Sequence, residues 1–434
     1  MKNLLLITLM LFGFLEAQTS VSGTFRPLGQ YKFAFIYKST PNGANFVDRA
    51  RLDESGSFSI NLDSSLEPGI YKVVYAIPPE ENNFDFIYDA KENVNFDFNA
   101  ETGIVFSESN ENKLLASYMK SMGMINQTIS NYYKKDGKDE KAFQEIFKTL
   151  VETQKAYESS ASGMLALDLI QANHPYIPKS YEDVSTYSNN LKRSYFEHID
   201  FDNEFLQSSS FIKDRINGFL FQVASKSSNA DYKSRVDDIA KAIANSKAET
   251  RLDIYQLLWE EFIQLNNDEL TTYIAKTYLL EAANASNNSK LVDKIVAQQR
   301  ISIGSRAPNF DVVNKDVKTD LHNLPKDKQY LLIFWSSGCS HCLEELPKVH
   351  TILANKKDIK IIAYGLEDSA AQWESSIKAF PDFIHIFGTK KWDNPIVAKY
   401  SLSATPTYFL LDKDKTILAK PYDYKALEGI FIVQ

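Results

Sequence analysis

Cys339 and Cys342 are the only two cysteines among 434 residues. Their spacing is one helical turn, which puts both sulfurs on nearly one face and close enough to interconvert between dithiol and disulfide. They close an apolar run, Leu331-Leu332-Ile333-Phe334-Trp335, that has the composition of a strand buried on both faces. Glu344 and Glu345 follow and are expected in the first turn of a helix. At such a strand-to-helix junction, unpaired backbone N–H groups and the positive end of the helix dipole favour a thiolate. Cys339 is therefore the expected nucleophile and Cys342, one turn deeper, the resolving thiol. A purely structural disulfide here would close too small a loop to stabilise much. A zinc site needs about four ligands, and two thiolates with His341 wedged between them do not supply them, so no metal is expected.

The elements that must position this pair come last in the chain. From about 301 to 434, strand-like and helical runs alternate, which indicates an α/β sheet closed by a hairpin at Asp412 to Lys415. The expected elements include strands at Tyr330 to Trp335, Ile359 to Tyr364, Ile384 to Phe387 and Thr407 to Leu411 and a helix at Cys342 to Lys356. Residues 107–300 show helical periodicity, as in Ile212, Ile216, Phe219, Leu220 and Val223, and carry no chemical motif. His174 and His198 are isolated in sequence and are expected at the surface or at caps. Residues 18–106 alternate with period two, as in Tyr31, Phe33, Phe35 and Tyr37, and predict a β-sandwich-like domain whose aromatics pack its core. The whole is expected to be multidomain: β-rich front, α-helical middle, α/β C-terminal domain.

Residues 1–17 read as a signal peptide: Lys2, an apolar stretch from Leu4 to Leu15, and a small-residue cleavage point after Ala17. No cysteine follows to carry a lipid. The expected location is the periplasm or cell envelope, where two cysteines and no more suit exchange better than structural cross-linking. A formal net charge of −8 gives no support to nucleic-acid binding.

Phe334-Trp335-Ser336-Ser337-Gly338-Cys339-Ser340-His341-Cys342 resembles the active-site segment of the thioredoxin superfamily. Gly304-Ser305-Arg306-Ala307-Pro308-Asn309-Phe310 resembles the entry motif of its TlpA/ResA branch of envelope proteins, of the Bacteroidetes type with β-rich and helical N-terminal extensions. Pro347 falls at the helix-kinking proline and Ala404-Thr405-Pro406-Thr407 resembles the cis-proline loop. The resemblance covers about residues 303–434 and implies a thioredoxin-like fold. Ile333 departs from it, standing where classical thioredoxin has a buried aspartate, and Gly338 replaces the usual tryptophan. Peroxiredoxins share the Ala-Pro-x-Phe entry but place a threonine where this chain has Ser336.

The resemblance implies protein thiol or disulfide substrates, a membrane or periplasmic electron donor, and no cofactor beyond the Cys339–Cys342 disulfide. Glu345 falls where ResA-type proteins carry a buried glutamate and is the candidate proton acceptor for Cys342; a solvated glutamate is the competing reading. His341 can stabilise the Cys339 thiolate, which pulls toward oxidase or isomerase character, whereas the framework pulls toward a reductant. Thr405, Pro406 and Trp335 are the expected substrate-binding residues. A homodimer through the aromatic faces of the first region is a further expectation. The alternative function is a binding or adaptor module of the cell envelope that keeps the thioredoxin-like domain as a scaffold.

Overall fold

Eight strands open the described chain, most of them with alternating apolar and polar side chains: β1 (Ser20–Arg26), β2 (Phe33–Thr40), β3 (Gly43–Arg51), β4 (Ser57–Asn61), β5 (Gly69–Val74), β6 (Asn83–Tyr88), β7 (Val94–Asn99) and β8 (Gly103–Phe106). A computed structural model describes residues 19–135, 137–222, 227–314 and 317–432. The expected signal peptide, 1–17, lies outside the described residues. The strands form two four-stranded sheets, ordered β4-β1-β7-β8 and β3-β2-β5-β6. One buried cluster draws on both, with Phe25, Phe58 and Phe96 from the first and Ile36, Tyr71 and Phe86 from the second.

The β2 side chains invert one expectation. Ala34 and Ile36 are the buried face, while Phe33 is 43% exposed and Phe35 and Tyr37 are half-buried. Period two reveals that a strand has two faces. Which one meets the core depends on the opposite sheet, and here the Ala34 and Ile36 face joins the cluster that holds Phe25, Phe58 and Phe96.

Helices α1 (Asn110–Lys134), α2 (Glu140–Ser160), α3 (Ala166–Ala172), α4 (Val184–Arg193), α5 (Glu204–Gln207) and α6 (Phe211–Asn217) follow, the last running into a π-helical turn at Gly218–Gln222. Ser109, Asp139, Asp183 and Asn203 cap α1, α2, α4 and α5 by accepting backbone N–H groups. The buried Asn112 amide ties α1 to β6 by bonding both the Ile87 N–H (2.8 Å) and its carbonyl (2.7 Å). These elements belong to the first of two compact units, Met1–Lys226 and Ser227–Gln434.

The second unit opens with α7 (Asn229–Ala242), α8 (Ala248–Gln264), α9 (Asp268–Ile274), α10 (Leu280–Ala285) and α11 (Ser289–Arg300). Then come β9 (Asp311–Asn314), β10 (Val317–Asp320), β11 (Gln329–Trp335), α12 (Ser340–Leu353), β12 (Ile359–Glu367), α13 (Ala370–Ile377), β13 (Ile384–Thr389), α14 (Pro395–Lys399), β14 (Thr407–Leu411), β15 (Ile417–Ala419) and α15 (Tyr424–Ile432). Five strands make one sheet in the order β13-β12-β11-β14-β15, with β11 parallel to β12 and antiparallel to β14. Strand β11 is central, and its side chains alternate between two cores. Leu331, Ile333 and Trp335 pack with Cys342, Leu346 and Val349 of α12, whereas Leu332 and Phe334 pack with Phe310, Tyr400 and Phe409. Burial on both faces is why this strand reads as an unbroken apolar run. The Asp268 carboxylate fastens α9 to the sheet region, accepting from Ile303 N–H at 2.7 Å and from Lys420 Nζ at 2.7 Å. No helix among the described residues is long and apolar enough to cross a membrane.

Candidate active site

Strand β11 ends at Trp335 and α12 begins at Ser340, which leaves Cys339 as the N-cap residue of α12. Its Sγ accepts the Cys342 N–H at 3.2 Å, the bond that a serine or aspartate oxygen makes at an ordinary helix start. A thiolate is a better acceptor than a thiol, so this bond and the dipole of the 14-residue helix both favour the charged sulfur. The two cysteines are joined in a disulfide with Cα atoms 5.3 Å apart. Cys339 is half-buried, whereas Cys342 is fully buried among Leu346, Trp335 and Ile333.

Opposite the pair, the Thr405–Pro406 peptide bond is cis, and the Thr405 carbonyl oxygen lies 3.4 Å from Cys339 Sγ. Thr405 and Pro406 are half-exposed. Trp335 is placed elsewhere than expected. It is 0% exposed in the core beneath α12 and offers a substrate no surface. The preceding residues of β11 alternate, and the odd-numbered ones all point under α12, so its position follows from strand geometry. His341 is exposed in the first turn of α12. Glu344 and Glu345 lie in the second turn and not the first, because Cys339 itself caps the helix and starts it at Ser340.

Glu344 is exposed and Glu345 is half-buried. The Glu345 carboxylate accepts from the Tyr408 hydroxyl at 2.8 Å and from the Tyr424 N–H at 3.2 Å. Burial, and then the hydrogen bond to the Glu345 carboxylate, push the Tyr408 phenol well above its ordinary range, so it remains a donor. Tyr408 pairs across the sheet with Ile333. Glu345 is thus held between α12, β14 and the start of α15, one turn beyond Cys342.

A second carboxylate escaped the sequence reading. Glu367, at the end of β12, is 3% exposed and accepts from Ser337 N–H at 2.5 Å and from Ser337 Oγ at 2.8 Å. The Gln372 amide donates to the Ser337 carbonyl at 2.9 Å. Ser337 lies two residues before Cys339, so the turn that presents the nucleophile is clamped from both sides. The β11–β12 register pairs Trp335 with Gly365. Continued by two residues, it sets Ser337 opposite Glu367. The available signal was a lone acid ending an apolar strand; its partner becomes visible only once that register is known.

A five-stranded sheet with a dithiol at the N-terminus of the helix after its central strand, faced by a cis-proline loop, defines a thioredoxin-like protein. Residues 327–417 match a family model described as thioredoxin-like. The thiol-disulfide oxidoreductase ResA of Bacillus cereus is 32% identical over 130 residues, which is 28% of this chain and 71% of that protein. The thioredoxin-like protein YneN of Bacillus subtilis is 27% identical over 119 residues, 27% of this chain and 69% of that one. A solved thiol-disulfide oxidoreductase from Bacteroides fragilis is 24% identical, covering 30% of this chain and 98% of that one with a TM-score of 0.27. The chain belongs to the ResA family of thiol-disulfide oxidoreductases.

Proposed function

We propose that this oxidoreductase works outside the cytoplasm and reduces or isomerises protein disulfides through Cys339 and Cys342. The observation that carries the reading is the asymmetry of the pair: an N-capping, half-exposed Cys339 beside a fully buried Cys342. The Cys339 thiolate attacks a client disulfide, one client sulfur leaves as thiolate, and a mixed disulfide forms. The Cys342 thiol then loses its proton, attacks Cys339 Sγ and releases the second client thiol. Two electrons pass to the client and the Cys339–Cys342 disulfide is left. A membrane or periplasmic donor of electrons restores the dithiol, and no bound cofactor is required.

Glu345 is the proposed proton acceptor for Cys342, with Tyr408 and the Tyr424 N–H fixing its carboxylate. His341, as imidazolium, would lower the energy of the Cys339 thiolate. Thr405 and Pro406 are the proposed substrate rim, with the Thr405 carbonyl able to take a hydrogen bond from a reduced Cys339. The eight-stranded front is read as a β-sandwich domain and, with the helices that follow, as the part that selects clients or pairs with a second copy.

The test is the reduction potential of the unaltered chain together with two variants. A potential near that of thioredoxin, about −270 mV, marks a reductant; one of about −120 to −180 mV marks an oxidant or isomerase. Cys339→Ser should abolish disulfide turnover, and Cys342→Ser should accumulate the mixed disulfide with client. Turnover that survives Cys339→Ser would leave the adaptor reading in its place.

A further inference from the structure

The helical part of the first unit forms a half-open cavity of about 740 Å³, within the usual size range of small-molecule sites. Tyr118, Tyr133 and Tyr187 line it together with Met122 and Ile129. Tyr133 stacks on Tyr187 with ring centroids 5.2 Å apart. Two of the phenol hydroxyls are already committed: Tyr118 donates to Gln154 at 2.9 Å and Tyr133 to the Glu182 carbonyl at 3.0 Å. The walls therefore offer mainly apolar and aromatic surface.

Two cations line it, Lys134 and Arg215, and Arg215 is the more buried of them. The Arg215 guanidinium lies over the Tyr195 ring at 4.5 Å and donates once, from Nη2 to the Tyr195 carbonyl at 3.3 Å. Among the described residues its buried Nε has no hydrogen-bond partner and no carboxylate forms an ion pair with it. Burial pulls its pKa down, and the groups that favour its charge are the phenols of Tyr195 and Tyr118. A half-buried cation left this way costs free energy unless an anion meets it. The setting is built in detail. A Cβ on Gly218 would come within 2.8 Å of the Tyr195 hydroxyl, and the π-helical turn that begins at Gly218 follows directly on the helix of Arg215. His174 and His198, isolated in sequence and expected at the surface or at caps, lie with tilted rings 4.3 Å apart, and His174 adds a further nitrogen-bearing ring to the lining.

We propose that this cavity binds a small organic acid, with its anionic head on Arg215 and an apolar or aromatic body against the wall that Tyr118, Met122 and Ile129 line. The site is separate from the dithiol in sequence and chemistry, and its occupancy does not depend on the redox reading.

The probe is 8-anilinonaphthalene-1-sulfonate, titrated by fluorescence into the folded, full-length chain. Expected are saturable binding of one probe per chain, displacement by 3-phenylpropionate, and at least tenfold weaker displacement by 3-phenylpropionamide. Arg215→Met should weaken probe binding at least tenfold. Gly123→Trp should block it, because Gly123 lines the cavity and a Cβ there meets nothing within 4 Å. Equal displacement by acid and amide overturns the proposal on the unaltered chain alone, even if Arg215→Met fails to fold. Absence of saturable binding, or full binding in a folded Gly123→Trp, overturns it as well.

Discussion

At the scale of single residues, two carboxylates are held near the dithiol by different partners, Glu345 by Tyr408 and the Tyr424 N–H and Glu367 by Ser337. Glu345 is legible from its position one turn beyond Cys342, and the structure places it half-buried beside Tyr408. Glu367 acts on the nucleophile only through Ser337, which makes it a positioning residue. Each of its two hydrogen bonds, made to a charged acceptor, is worth roughly 1.5–3 kcal/mol. Glu367→Gln removes the charge and keeps a carbonyl acceptor for Ser337; Glu367→Ala removes both. Turnover should therefore fall about tenfold further in the alanine variant than in the glutamine one, and the pH profile of Cys339 alkylation should shift between them. Identical rates and profiles in the two variants would mean that clamping Ser337 does not govern the nucleophile. Cys339 and Cys342 needed no structure to be found, because no other thiol competes. Trp335 was misjudged because adjacency in sequence to the active turn says nothing about which sheet face a side chain takes.

At the scale of elements, β13 carries a group whose titration should be visible in stability. His385 Nε2–H donates to the Phe380 carbonyl at 2.7 Å, while its Nδ1 is buried without a partner, and the ring stacks beside Phe383. Burial is the main cause that lowers its pKa below the ordinary 6.5. The folded state thus resists protonation, and the unfolded chain binds the proton more readily. Stability is fully present above about pH 6.5 and falls as pH drops from there toward the lowered folded value. His385→Gln can keep the bond to Phe380 and cannot titrate. The loss in unfolding midpoint between pH 7.5 and 5.5 should be smaller in this variant than in the unaltered chain; an equal loss would show that His385 is not the coupled group. The hairpin at Asp412 to Lys415 follows from local pattern. Strand β3 was missed, because its residues are mostly exposed and show no apolar alternation.

At the scale of the whole molecule, the division into compact units falls inside the helical stretch, so α7 to α11 share a unit with the thioredoxin-like sheet. Asp268 is the clearest fastener in that unit. Its ion pair with Lys420 leaves the two side chains only 10% and 12% exposed. Removing one partner of a pair buried this deeply typically costs about 3–5 kcal/mol, because the other charge is stranded. Asp268→Ala should lower the unfolding free energy of this unit by roughly that amount. A fragment beginning at 301, which lacks Asp268, should melt below one beginning at 227. Equal melting of the two fragments in a thermal scan would show that the helices add nothing to the sheet.

The sequence by itself determined the chemistry: the only two thiols at one-turn spacing, the buried strand before them, and the motifs that resemble one branch of the thioredoxin superfamily. Those features are local, and local pattern is what composition and periodicity record. The tertiary structure alone decided which face of β2 is core, that Trp335 is buried, that Glu367 holds Ser337, that His174 meets His198, and that no carboxylate among the described residues pairs with Arg215. Each of these depends on register or packing between segments distant in sequence, where no single stretch of residues carries the information.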